Sequence, residues 1–88
     1  MKETIEAQVK LAIDKFDPMS LHPGDFAPAD EYDGESRHIA TKLYVGISKE
    51  QIADIIAHEF TTAFAQTFTT DMCSSPALEI YKALNEAV

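Results

Sequence analysis
Three pairings of histidine with acid come close to metal chemistry in this chain, and each stops short. His58-Glu59 opens the pattern by which zinc proteases hold their metal. That pattern needs a second histidine four residues after the first, so that both imidazoles leave one helical face. Thr62 occupies the position, and the pattern fails. Glu35 and His38 have the i,i+3 spacing of half a di-iron site in a helix bundle. Such a site takes two of these pairs and two further inward glutamates. His38 also falls off the apolar stripe of its helix, as a solvated side chain would. Asp54 and His58 stand four apart, opposite the apolar arc of theirs, the arrangement of an exposed surface pair.

Carboxylates are the second resource. Asp17, Asp25, Asp30, Glu31, Asp33 and Glu35 fall between Phe16 and Glu35, a stretch with no Lys or Arg. A calcium loop would need oxygen ligands in a fixed register, a central glycine and a terminal bidentate Glu. The stretch from Asp25 to Glu35 does not keep that register, so no dedicated metal site is expected. Glu59 is the odd charge, placed by its helical angle between Ile52, Ile55 and Ala63 at the edge of an apolar arc. A carboxylate there needs a partner, or desolvation favours its neutral form. Tyr32, Tyr44, Arg37 and backbone amides of the acidic stretch are the candidate donors. The expected role of Glu59 is to tether that stretch to the core, with a catalytic or ligand role as the alternative.

Nucleophiles are poorly served. Ser20, Ser36, Ser48, Ser74 and Ser75 all have cap or turn roles open to them. Cys73 is the only cysteine, which rules out an internal disulfide and a cysteine zinc cluster. It falls in a connector without an activating base and reads as an inert thiol. The glycines are never clustered, so no phosphate-cradling loop exists. No cofactor is implied.

The elements that carry these residues read as helices throughout. Ile5, Val9, Ala12, Ile13 and Phe16 form one stripe at the helical period, predicting a helix over 4–16. Pro18 stops it, because the residue before a proline avoids helical angles. Asp17-Pro18 reads as a cap and first position of a single turn through Leu21. A second helix begins near Asp30 to Asp33 and carries Tyr32, Ser36, Ile39, Ala40, Leu43 and Ile47, ending at about Gly46. Ser48 and Gln51 form a capping box for a third helix running to about Phe68. Its apolar arc of Ile52, Ile55, Ile56, Phe60, Ala63, Phe64 and Phe68 is wide, as in a helix touched from several sides. Ser75-Pro76 starts a fourth, with Ala77, Ile80, Tyr81, Leu84 and Val88 as its stripe. The expected architecture is all-α: a four-helix array with a long, ordered, Pro-rich acidic loop between helices 1 and 2. Pro18, Pro23 and Pro28 stiffen that loop, and Met19, Leu21, Phe26 and Tyr32 can pin it to the core. Long connections of this kind are often functional.

Eighty-eight residues make a single helical domain, 1–88, with room for one modest core. A hydrophobic share of 45% against 25% charged argues for a folded chain. The net charge of −8 opposes nucleic acid and anionic membranes and leaves a basic protein or a bound cation as partner, with solubility alone as the plainer explanation of the charge. No apolar signal core opens the chain and no bilayer-length apolar run follows, so a cytoplasmic location is expected.

The run Phe16-Asp17-Pro18-Met19-x-Leu21, then Ala27-Pro28-x-Asp30-Glu31-Tyr32-Asp33-x-Glu35, then Ile39 and the Ser-capped helix resembles the domain of unknown function family 1871. That family is found in Gram-positive bacteria and their phages, and the resemblance spans roughly residues 13–68. It implies a compact helical fold and marks Asp17, Pro18, Glu31, Tyr32 and Asp33. It carries no activity, since none is established for the family. Capping and anchoring account for those residues without catalysis.

Two functions compete. The favoured one is a small acidic, non-enzymatic protein-interaction module, of inhibitor or immunity type or a phage-associated accessory protein. Its acidic loop (Asp17, Asp25, Asp30, Glu31, Tyr32, Asp33, Glu35) and Glu59 would face a basic partner, mimicking phosphate. Homodimerisation through Leu11 and the wide third helix is a related reading. The alternative is a small metal-dependent or hydrolytic enzyme using Glu59, a histidine and loop carboxylates.

Overall fold
The computed structural model describes residues 5–18 and 32–87. Among them every regular element is helical: α1 (Ile5–Phe16), α2 (Asp33–Thr41), α3 (Lys49–Phe64) and α4 (Ser74–Ala87). One 3-10 turn, Asp71–Cys73, runs directly into α4. Each helix packs against two others, so the four close a ring in the order α1, α2, α3, α4. Met19, Leu21 and Phe26, the expected anchors of the acidic connection, lie outside the described residues, as do Val88 and the single turn expected through Leu21. Tyr32 lies inside them and is fully buried.

The core is filled from all four helices. Val9, Ala12 and Ile13 come from α1, Ile39 from α2, and Ala77 and Ile80 from α4. α3 buries Ile52, Ala53, Ile56, Ala57 and Phe60. At one end the rings of Phe16, Tyr32, Phe64 and Phe68 surround Phe60, with centroids 5.7–6.4 Å from it. Tyr32 meets Phe60 edge to face, at 85°, the arrangement the ring quadrupoles favour. Phe60 and Phe64 are one helical turn apart and stack at 6°. Leu11 points outward, as its place off the α1 stripe predicts.

Helix ends differ from the sequence reading for identifiable reasons. Asp17 terminates α1, and the turn it is expected to open lies outside the described residues. Its amide donates to the Ile13 carbonyl at 2.8 Å and its φ is +47°. Pro18 bars Asp17 from right-handed helical angles, and Asp is among the few residues that enter the left-handed region readily. α2 stops at Thr41, well short of Gly46. The Thr41 hydroxyl donates to the His38 carbonyl at 2.6 Å, and the next amides reach back only three residues, Lys42 to Ile39 and Leu43 to Ala40. Leu43 and Ile47 still pack on the core, but from a loop.

The capping box of α3 is present: the Gln51 amide donates to Ser48 Oγ at 3.1 Å and the Ser48 amide to Gln51 Oε1 at 3.0 Å. α3 ends at Phe64, where Ala65 turns left-handed at φ 53°. Ala63 is therefore exposed, and Phe68 is buried from a non-helical segment held by Thr61, whose Oγ1 accepts from the Phe68 amide at 3.0 Å. α4 begins at Ser74, and Pro76 sits in its first turn, where its missing N–H has no intrahelical acceptor to lose.

Gly46 carries φ +93° in the turn closed by the Ile47 amide on the Tyr44 carbonyl at 3.2 Å. A Cβ there meets nothing within 4 Å, so the penalty of Gly46→Ala is the backbone's alone. We expect a loss of about 1–2 kcal/mol, read as a Tm drop of roughly 5–15 °C. Gly34, inside α2 and equally unobstructed, gives the opposite sign: Gly34→Ala should gain about 0.4–1 kcal/mol.

Candidate functional site
Charged side chains gather along the seam between α1 and α2, Asp33 among them. The amphipathic period of α1 puts Glu6, Lys10 and Asp14 in one polar row, and α2 brings Asp33, Ser36 and Arg37 alongside it. Lys10 Nζ donates to Asp14 Oδ2 at 2.9 Å and crosses to Asp33 Oδ1 at 2.7 Å. Arg37 Nε lies 3.5 Å from Glu6 Oε1. Between the two helices is an open cleft of about 390 Å³, lined by Glu6, Ala7, Lys10, Asp33, Ser36 and Arg37.

Asp17 and Tyr32 close one end of the seam. The buried Tyr32 hydroxyl donates to Asp17 Oδ1 at 2.6 Å. Asp17 and Asp33 are thus engaged within the fold, by a phenol and an ammonium, and Glu35 is half-buried on α2. Asp25, Asp30 and Glu31 lie outside the described residues.

Glu59 stands apart from these, on the other flank of α2. Its side chain is 13% exposed and its Oε2 lies 3.2 Å from His38 Nδ1, whose ring is 71% exposed. The donor is therefore His38, and not Tyr32, Tyr44 or Arg37. Tyr32 is turned to Asp17, Tyr44 to Gln51 and Arg37 to Glu6. His38 does lie outside the apolar stripe as expected, yet it lids a carboxylate on the neighbouring helix instead of standing alone in solvent. The pair is a hydrogen bond when Nδ1 carries its proton and an ion pair when both ring nitrogens do. Asp54 pairs with the Thr70 hydroxyl instead of acting with His58.

Two buried oxygens on the seam have no hydrogen-bond partner among the described residues: Asp14 Oδ1 and Ser36 Oγ. Ser36 is 2% exposed, in mid-helix, and serves no cap or turn. Its position on the apolar stripe of α2 was the only signal in the sequence that it is unusual. The crossing from Lys10 to Asp33 had none, because it joins residues from two helices. Among the described residues no group of three or more His, Cys, Asp or Glu is placed to hold a metal ion.

Alkaline pH should test both ends of the molecule's electrostatics. The Asp33 carboxylate is the chief reason that the Lys10 ammonium is held above its ordinary value; burial opposes it and Asp14 adds to it. Burial alone pushes the Cys73 thiol up to about 11. Both folded values lie above the unfolded ones, so each contribution is complete below the unfolded pKa and is lost as pH rises through the folded one. Stability should therefore fall between about pH 9 and pH 11 as the unfolded chain sheds protons that the fold retains. Cys73→Ala should flatten that slope in a series of thermal melts. In the unmodified protein at neutral pH, thiol reagents should label Cys73 only as fast as it is exposed by unfolding.

No family model matches the chain, and no curated protein or solved structure matches it either. Among the described residues no helix is long and apolar enough to cross a membrane.

Proposed function
We propose that this chain is a small acidic interaction module that docks onto a basic protein. The observation that carries the reading is the balance of charge. The chain has a net charge of −8 with only seven Lys and Arg, and Lys10, Lys15 and Arg37 already lie against carboxylates of the same molecule. The remaining acids present a negative field that few cations interrupt, which favours fast, salt-sensitive association. An inhibitor or immunity role, with carboxylates standing in for phosphates, is the finer form of this proposal.

Capture on the immobilised protein, followed by titration of the purified partner at rising ionic strength, tests the reading. A basic partner whose affinity falls steeply with salt supports it. A partner that is acidic, or binding indifferent to salt, sinks it. The enzymatic alternative keeps one specific observation in its favour, the contact of Glu59 with His38. Metal analysis of the purified protein and melts with divalent cations decide that alternative: stoichiometric metal or a raised Tm supports it, and neither would end it.

A further inference from the structure
We propose that the cleft between α1 and α2 binds a small zwitterion of the α-amino acid type. The lining carries both signs in balance: Lys10 and Arg37 against Glu6 and Asp33. The lining is locally neutral and dipolar although the protein's net charge is −8. A simple anion would be repelled by the whole molecule and a simple cation would meet Lys10 and Arg37. A ligand with both charged groups on one carbon matches the lining.

Each contact has a vacant partner on the protein. Arg37 approaches Glu6 only through Nε, at 3.5 Å, and its terminal nitrogens have no protein acceptor among the described residues. That fork is shaped for a carboxylate held by two parallel bonds. Asp33 gives Oδ1 to Lys10, and Glu6 gives Oε1 to Arg37; the second oxygen of each has no partner among the described residues and can accept from an ammonium. Ser36 lines the same cleft with a buried hydroxyl that has no protein partner among the described residues. Leaving such a group unpaired is costly, and alanine in its place would relieve the cost. A ligand seated in the cleft that reaches this hydroxyl would relieve that cost. The cleft volume of about 390 Å³ falls within the range of small-molecule sites. This site is independent of the partner-binding reading and can stand or fall without it.

The test is amide NMR on the full chain, adding the α-amino acids singly, with acetate and methylamine as probes carrying one charge each. At least one amino acid should move the Ala7, Lys10, Ser36 and Arg37 amides at concentrations where neither single-charge probe does. Arg37→Gln, at an exposed position, should weaken that binding about tenfold or more. Ser36→Ala should weaken it roughly three- to tenfold while leaving Tm unchanged or higher. The proposal is overturned if no amino acid shifts these amides, if acetate or methylamine shifts them equally, or if both variants bind as the parent does. A marked fall in Tm on Ser36→Ala would also overturn it, by showing that the hydroxyl is already satisfied within the fold.

Discussion

Phe60→Ala is expected to bring the protein close to unfolding. Phe60 is fully buried and, among the described residues, is the one ring that touches Phe16, Tyr32, Phe64 and Phe68. Truncation removes its transfer free energy and leaves a cavity whose walls belong to different segments of the chain. Those walls cannot all collapse at once. The loss should be about 3–5 kcal/mol, against a total of roughly 5–15 kcal/mol for a domain of ordinary stability. Thermal melts should show Tm lower by on the order of 20 °C or more. Phe60→Leu keeps most of the volume and should lose distinctly less. Equal losses for the two variants would mean that edge-to-face geometry, and not volume, holds this end together.

Tyr32→Phe is the second large effect, and it isolates one bond. The ring keeps its place against Phe60 and Phe64, so packing is preserved and only the hydroxyl goes. Its 2.6 Å bond to Asp17 is a donation to a carboxylate beside a buried ring. Hydrogen bonds to charged groups of this kind are worth about 1.5–3 kcal/mol. Tm should fall by roughly 6–20 °C. Asp17→Asn keeps an oxygen acceptor and should fall less. A Tyr32→Phe variant as stable as the parent would show that the phenol is solvated in solution and that Asp17 is not its partner.

Local signals were legible in the sequence, and longer-range ones were not. The α1 stripe, the Ser48–Gln51 box and the stop before Pro18 are each decided within a few residues, and each is found in the structure. The sequence marks Glu59 as a carboxylate at the edge of an apolar arc, because its angle on α3 depends on α3 alone, and the structure holds it 13% exposed against His38. Which donor reaches it depends on how α2 rotates against α3, and periodicity does not encode that; His38 took the place expected of Tyr32, Tyr44 or Arg37. α2 and α3 end before their apolar periodicity does, for another reason. Leu43, Ile47 and Phe68 continue the apolar count, yet they reach the core from irregular backbone after Thr41 and Ala65 have ended the helices. An apolar residue at helical spacing shows where a side chain is wanted, and not which backbone delivers it.

The contact of Asp17 with Tyr32 links residues fifteen positions apart, so the backbone departs from and returns to one point on the domain. Fastened there, α1 and α2 meet through a contact that neither helix's own backbone supplies, so their junction answers to one hydroxyl and one carboxylate.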